Sequence, residues 1–153
     1  MNDSVEWADA LLESAADKTI AEKVGLAVQQ LLEMDAELLI RDVHERTITG
    51  RLADHLRPHF PEWDVDCEYN RDDHEIKRVD GNIVVPDIIV HHRGTPDNLL
   101  VIEVKKSNTR APDEEDIAKL HSYRESHLRY QNGLFLKLLV GENAPDVSTV
   151  YWV

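Results

Sequence analysis

The sequence predicts an α/β domain with a central mixed sheet flanked by helices. Three patterns in the 153-residue chain lead to this fold class. Apolar residues recur at helical spacing up to about residue 56, strand-like segments follow, and one further helix precedes the last two strands. The expected order is therefore three helices, three strands, one helix and two strands.

The N-terminal part is expected to contain three amphipathic helices. The first spans residues 4–16, with Ser4 as its N-cap. Capping-box patterns at Thr19-Ile20-Ala21-Glu22 and Asp42-Val43-His44-Glu45 predict the starts of the second and third helices, the third ending at Leu56. The second helix is expected to bury one apolar face, formed by Ile20, Val24, Ala27, Val28, Leu31 and Leu32.

The next segments read as a strand and a loop. Residues 63–69 alternate strictly, which predicts a strand with acidic residues on one face. Its other face is expected to carry Trp63, Val65, Cys67 and Tyr69. The polar stretch 70–82 predicts a loop.

The C-terminal part predicts one helix and two strands. Four acidic residues at 113–116 begin a helix that runs to about Leu128, and negative charge is favourable at a helix N-terminus. Residues 134–140 are expected to form a buried strand, and residues 147–153 a final edge strand.

The most informative part of the chain is a predicted hairpin. Pro86-Asp87-Ile88-Ile89-Val90 and Val101-Ile102-Glu103-Val104-Lys105-Lys106 are apolar strands, and the turn-forming residues 93–98 lie between them. Antiparallel pairing centred on Thr95 places Asp87 opposite Glu103, with Cβ atoms ~5 Å apart. The period of two assigns Asp87, Ile89 and His91 to one face, together with Val101, Glu103 and Lys105.

This pairing brings two carboxylates and a lysine into an otherwise apolar strand pair. Opposed like charges and unpaired buried charges both destabilise a sheet. A divalent cation removes the conflict, so the pattern predicts a metal site. The alternative is an exposed hairpin with a cross-strand salt bridge, but Leu99-Leu100-Val101-Ile102 is too uniformly apolar for a strand open to water.

Composition excludes several classes of protein. The single cysteine, Cys67, rules out an internal disulfide and a cysteine-rich zinc site. Among eight histidines, His55 and His59 share a helix face, but no further ligands stand at a zinc-site spacing. No apolar run approaches the ~20 residues of a membrane span, and the first six residues are acidic where a signal peptide would be basic. We therefore expect a cytoplasmic protein without a membrane partner.

The formal net charge of −13 opposes strong non-specific binding to nucleic acid. Most of this charge lies early in the chain. Residues 1–66 hold 15 acidic and six basic residues, whereas residues 67–153 hold 15 and 11. A bound cation would offset part of the later negative charge.

Pro86-Asp87, followed after a spacer by Glu103-Val104-Lys105, matches the PD-(D/E)xK signature. The chain resembles the restriction-endonuclease-like nuclease superfamily, and in particular a group of small bacterial members, over residues 42–140. The matching strings are Cys67-Glu68-Tyr69-Asn70-Arg71, Pro86 to His91 and Leu99 to Ser107. The resemblance implies an α-β-β-β-α-β core in residues 41–153, with residues 1–40 as an N-terminal helical extension.

The resemblance also implies a function and roles for the predicted site. The implied function is divalent-metal-dependent hydrolysis of phosphodiester bonds in a nucleic acid, with DNA as the expected substrate. Asp87, Glu103, the Val104 carbonyl and Glu45 would bind Mg²⁺ or Mn²⁺, which take oxygen ligands. Lys105 would activate the attacking water or stabilise transition-state charge. Lys106 faces the opposite side and is not expected to be catalytic.

Several further residues are accessory candidates with simpler alternatives. Glu45 lies in an apolar helix stripe, but it would also complete the capping box with Asp42. Lys119 and Tyr123 lie one helical turn apart beside the expected site, or on an ordinary solvated helix face. Glu68 is a site carboxylate or part of a solvated strand edge, and His91 shares the face of Asp87. A basic set near the motif strands would contact phosphates or simply be surface, and it contains Arg71, Lys77, Arg78, Arg93, Lys106 and Arg110.

Two questions about function and assembly stay open at this stage. The alternative to an enzyme is a non-catalytic metal-binding or protein-binding module on the same fold, favoured by the acidic charge. Many superfamily members cut both strands as dimers, which implies a homodimer. If residues 4–34 instead pack on their own core, a monomer is expected.

Overall fold

A computed structural model describes the backbone of residues 3–69, 71–72, 75–76, 78–79 and 82–153, and the side chains of residues 6–69 and 84–153. Within these ranges no helix is both long and apolar enough to cross a membrane. The five α-helices are α1 (Asp3–Ser14), α2 (Lys18–Met34), α3 (Ala36–Ile40), α4 (Glu45–Leu56) and α5 (Asp113–Glu125). Short 3-10 helices lie at Arg57–His59 and Gly141–Asn143.

Nine strands follow α4 in the described residues. They are β1 (Asp64–Cys67), β2 (Arg71–Asp72), β3 (Glu75–Ile76), β4 (Arg78–Val79), β5 (Asn82–Ile83), β6 (Ile88–His91), β7 (Asn98–Lys106), β8 (Asn132–Leu139) and β9 (Asp146–Trp152). Two-residue strands pair antiparallel as β2–β3 and β4–β5 within the stretch predicted to be a loop. The loop prediction is therefore wrong for these residues.

The main sheet has five strands in the order β1-β6-β7-β8-β9. Only β7 and β8 run parallel, and α5 connects them, as a parallel pair requires a crossover. The other neighbouring pairs are antiparallel. The prediction of an α/β protein with a mixed sheet and packed helices is confirmed.

One face of the sheet packs against the N-terminal helices. Apolar residues of β6, β7 and β8 share a single buried cluster with residues of α1, α2, α3 and α4. Leu11, Val24 and Leu39 are among the helical members and are at most 1 % exposed. The Trp152 indole N–H of β9 also donates to the Leu11 carbonyl at 2.8 Å. Residues 6–40 thus contribute directly to the core of the sheet, and whether residues 1–40 also form a separable unit stays a prediction.

The opposite face packs against α5. Its smaller apolar cluster joins Ile89, Val101 and Phe135 of the sheet to Leu120 and Tyr123 of the helix. Beside this cluster, Glu103 and Lys105 of β7 are buried on the same face. The alternation of β7 thus separates an apolar face from a face that carries ionisable groups.

Both predicted capping boxes are wrong. The N-cap of α2 is Asp17, whose carboxylate accepts the Ile20 N–H at 3.1 Å. The N-cap of α4 is His44, because Asp42 instead binds Lys106 across the fold. The first helix begins at Asp3, so Ser4 lies inside it. The short helix α3 was not expected.

Tyr69 also departs from its predicted face. Trp63, Val65 and Cys67 lie toward the N-terminal helices, whereas Tyr69 packs with the cluster under α5. The backbone changes direction at Glu68, which has a positive φ of 50°. Alternation of the strand therefore ends before Tyr69.

Candidate active site

The predicted register of the central hairpin is confirmed. Ile88 pairs with Ile102 and Ile89 with Val101, as expected for pairing centred on Thr95. Extending this register places Asp87 opposite Glu103, and the Asp87 N–H donates to Glu103 Oε2 at 3.3 Å. The register shifts only after Val90, at the far end of the strand pair.

Asp87 and Glu103 form a carboxyl pair at the end of β6. Burial, and then the negative charge of Asp87, raise the pKa of Glu103 well above its ordinary value. Burial likewise raises the pKa of Asp87, although the Val104 N–H donates to Asp87 Oδ2 at 2.8 Å. Two neighbouring carboxyl groups in such a setting favour the uptake of a proton over full ionisation of both.

Tyr123 of α5 closes the pair from the helix side. Its side chain is buried, and its hydroxyl lies close enough to the Glu103 carboxyl group for the two to affect each other's ionisation. Burial, and then the charge of Glu103, raise the pKa of Tyr123. The phenol therefore stays neutral and provides a fixed O–H group beside Glu103.

Glu45, the first residue of α4, is directed toward the same pair. Burial, and then the charge of Asp87, raise the pKa of Glu45. Glu45, Glu68 and Asp87 line a cavity of about 110 Å³ between α4 and the sheet. Since Asp42 does not cap the helix, the alternative role of Glu45 in a capping box is wrong.

Lys105 lies on the expected face, but its contacts are with the start of α5. Its ammonium donates to the Ala111 carbonyl and forms ion pairs with Asp113 at 3.1 Å and Asp116 at 3.4 Å. Burial opposes protonation, but the Asp113 hydrogen bond and both carboxylate charges outweigh it and raise the pKa of Lys105. The side chain is therefore a buried cation.

Lys106 leaves the opposite face of β7, as predicted. Its Nζ lies 2.9 Å from Asp42 Oδ1 and 3.2 Å from the Val43 carbonyl oxygen. These contacts join β7 to the segment before α4. The side chains of the two adjacent lysines thus contact different elements of the structure.

Lys119 provides positive charge near the carboxyl pair from the surface of α5. Its side chain is 58 % exposed and lies 3.8 Å from Asp116. Its charge acts against the raised pKa of both Asp87 and Glu103. Lys119 is thus placed to meet a ligand that approaches from solvent.

The other accessory candidates have different positions. Glu68 is at the cavity rim, where its carboxylate lies 3.2 Å from Arg46 Nε and its N–H donates to the Asp87 carbonyl. His91 is at the opposite end of β6 from Asp87, and its Nε2 lies 2.7 Å from Asp66 Oδ2. The structure therefore brings Glu68 to the cavity and leaves His91 outside it.

Most described members of the basic set are already paired. Arg93 Nε lies 2.9 Å from Asp66 Oδ2, and Lys106 is held by Asp42. Arg110 is exposed, whereas Lys77 and the side chains of Arg71 and Arg78 lie outside the described residues. The histidines considered for zinc also have other partners, since His55 contacts Asp35 and His59 contacts Gln30.

The donor set of the carboxyl pair suits a hard cation. Carboxyl ligands release their protons when they bind a metal, and Mg²⁺ and Mn²⁺ prefer such oxygen ligands. Within the described residues no group of three His, Cys, Asp or Glu side chains is arranged to hold a metal. Binding by Glu45 as a third ligand therefore stays a prediction. Val104 contacts Asp87 through its N–H, and its carbonyl as a ligand stays a prediction.

The contacts of Asp113 and Asp116 with Lys105 do not follow from the sequence patterns, which indicate only favourable charges at a helix N-terminus. The spacing of Asp116, Lys119 and Tyr123 places them on one helical face, which is the signal that could have joined Asp116 to the site. No comparable signal links Asp113 to Lys105. Comparisons with protein-family models, curated proteins and solved structures find no significant match.

Proposed function

We propose that the protein is a divalent-metal-dependent nuclease that hydrolyses phosphodiester bonds, with DNA as the expected substrate. The observation that carries the proposal is the pairing of half-buried Asp87 with buried Glu103, with Lys105 on the same strand face as Glu103. Carboxyl groups whose pKa values are raised by burial and mutual charge are concentrated at functional sites. Without a ligand, removing two neighbouring carboxyl groups from water costs free energy.

The order of elements supports the same reading. From α4 onward the main elements run helix, β1, β6, β7, helix, β8, which corresponds to the α-β-β-β-α-β core of the restriction-endonuclease-like superfamily. The two motif halves, Pro86-Asp87 and Glu103-Val104-Lys105, lie at adjacent positions of neighbouring strands. This placement is what the proposed superfamily assignment requires.

Each residue has a defined task in the proposed reaction. Asp87 and Glu103 would hold Mg²⁺ or Mn²⁺, with Glu45 as an accessory ligand. When bound, the ion would polarise the phosphodiester and make water a better nucleophile. Lys105 is a protonated cation, so it would stabilise the negative charge that develops on the phosphate rather than remove a proton. The Tyr123 hydroxyl would fix the orientation of Glu103.

One observation favours a second candidate, a non-catalytic metal-binding or protein-binding module. Arg93 and Lys106, two of the basic side chains nearest the motif strands, are already paired with carboxylates, and the chain carries a net charge of −13. Such a surface does not attract DNA strongly. The module would use the acidic surface to bind a basic partner.

Metal binding and cleavage separate the two candidates. Titration with Mn²⁺, followed by calorimetry, should show binding that weakens in Asp87→Asn. Asp66→Asn is the matched control, because Asp66 is also a largely buried carboxylate on a strand next to β6. Plasmid DNA and single-stranded DNA are then incubated with protein and Mg²⁺ or Mn²⁺. Cleavage by the wild type that Asp87→Asn lacks supports the nuclease, whereas metal binding without cleavage supports the module.

A further inference from the structure

The Lys105 ammonium is enclosed by the start of α5 and the residues before it. The side chain is 3 % exposed. Three acceptors surround it, the Ala111 carbonyl and the carboxylates of Asp113 and Asp116. A lysine ammonium has three N–H donors, so each donor has an acceptor that the protein itself supplies.

The two carboxylates differ in their second partners. Asp113 Oδ1 also lies 3.2 Å from Lys137 Nζ, and Lys137 occupies the position of β8 that pairs with Lys105. Asp113 is therefore fixed to both central strands. Asp116 makes the longer contact with Lys105, and its second partner is the surface side chain Lys119.

We propose that Asp113 and Asp116 are positioning residues for Lys105, and that Asp113 is the principal one. The inference rests on the proposed nuclease function, because the placement of Lys105 affects a reaction only if Lys105 takes part in it. Asp113 holds the ammonium against β7 and β8. When a phosphate oxygen accepts one of the three N–H groups of Lys105, the contact with Asp116 is the one that breaks at the lowest cost in free energy.

Variants of the first turn of α5 test this division of roles. Asp113→Asn and Asp116→Asn are compared with Glu114→Gln and Glu115→Gln, which remove the same charge from the same turn. Glu114 and Glu115 are exposed and make no ion pair among the described residues. Cleavage of plasmid DNA in Mn²⁺ is measured well below the unfolding temperature of every variant.

Loss of a residue that orients a metal ligand typically costs about 10–100-fold in activity, and we expect a similar factor for a residue that orients Lys105. Asp113→Asn should lower kcat by this factor while KM and Mn²⁺ affinity stay unchanged. Asp116→Asn should lose less, and both Gln variants should match the wild type. Asp113→Glu, which keeps the charge, should recover part of the loss. If Asp113→Asn loses no more kcat than Glu114→Gln, the ion pairs are only structural and the proposal is wrong.

A second measurement does not depend on cleavage. Acetylation of lysines is followed by mass spectrometry in the wild type and in the Asn variants. Lys105 should react far more slowly than the exposed Lys119 in the wild type and clearly faster in Asp113→Asn. Unchanged protection of Lys105 in both Asn variants would overturn the holding role. Loss of protection in a protein that cleaves no substrate would instead show that the proposed function has failed.

Discussion

The two faces of β7 bury opposite kinds of side chain. Ile102 and Val104 pack with the N-terminal helices in a wholly apolar cluster. Glu103 and Lys105 alternate with these residues along the strand and face α5 instead. They are just as buried, with exposed fractions of 4 % and 2 %. Since successive residues of a strand point to opposite sides, a single strand contributes both to an ordinary core and to an ionisable interior.

The ionisable face also contains two kinds of carboxylate. Asp66 is balanced by Arg93 and His91, and although burial raises its pKa, their hydrogen bonds outweigh that effect and lower it. Among the side chains that the structure describes, no lysine or arginine forms an ion pair with Asp87 or Glu103, and burial raises both pKa values. Compensated buried charges have a structural role, whereas uncompensated ones are expected where a ligand completes the site.

The largest expected effect comes from removing the helices that cover the apolar face. A chain that lacks residues 1–40 should not fold cooperatively, because fully buried residues such as Val24, Leu31 and Leu39 are lost from the shared core. Thermal unfolding followed by circular dichroism checks this. Leu26→Ser is the control, since Leu26 is 55 % exposed and should be tolerated.

A soluble truncated chain with a sharp thermal transition would contradict this prediction. Residues 1–40 would then be a separable arm. Sedimentation of the full and truncated chains would show whether that arm holds a homodimer together. The same comparison therefore decides between the two readings of the N-terminal segment.

The second prediction compares the two adjacent lysines. Lys105→Ala should lower nuclease activity by ~10²–10³-fold, or ~3–4 kcal/mol, because it removes a charge-stabilising donor. Lys106→Ala should be much milder, because Lys106 binds Asp42 on the other side of the strand. Cleavage rates and Mn²⁺ affinity are measured for both, and metal binding should survive in each.

Each outcome of the lysine comparison has a distinct meaning. Equal losses would indicate that the pair contributes only general positive charge for phosphate binding. If neither substitution lowers the rate, Lys105 has no part in the reaction. Circular dichroism of Lys105→Ala shows whether a loss reflects unfolding, since Asp113 and Asp116 lose their buried partner.

Local patterns in the sequence predicted more of the hairpin than of its surroundings. The register of β6 and β7 follows from turn residues and alternation, which depend on neighbours in the chain, and the Ile88–Ile102 pair confirms it. The Asp42 cap failed because the carboxylate binds Lys106, 64 positions away. Contacts of this length depend on how the elements pack, and no local pattern encodes them.

The candidate site shows the same difference between local patterns, which the sequence reveals, and long-range contacts, which it does not. Asp87 and Glu103 could be brought together from the sequence because a two-fold period and a hairpin place them opposite each other. The ion pair between Lys105 and Asp113 could not be predicted from the sequence, because it depends on where the crossover helix α5 begins relative to the sheet. Helix ends vary by one or two residues, and that shift decides which acidic residue meets the lysine.

The third prediction concerns the compensated carboxylate. Asp66→Asn should lower the free energy of unfolding by ~1–3 kcal/mol, since it weakens the hydrogen bonds to His91 and Arg93. Chemical denaturation measures the change. Asp64→Asn, on the same strand, should cost less, because Asp64 is more exposed and its side chain lies 3.9 Å from the Arg93 guanidinium. A larger loss of unfolding free energy from Asp64→Asn would show that burial does not determine how much each of these carboxylates contributes to stability.

The smallest expected effect is the change in stability when Glu103 can no longer ionise, and this change depends on pH. Because burial raises the pKa of Glu103 above its ordinary value of 4.5, the folded wild type holds a proton that the unfolded chain releases. Its contribution to stability is present below pH 4.5 and is lost as the pH rises toward the raised pKa. Glu103→Gln cannot ionise, so without metal it should become more stable than the wild type as the pH increases above 4.5.

Chemical denaturation of both proteins at several pH values measures this difference, in which the titration of the other carboxylates largely cancels. Mn²⁺ should reverse the order by stabilising the wild type more than Glu103→Gln, and a difference that does not change with pH or Mn²⁺ would mean that Glu103 carries no uncompensated charge.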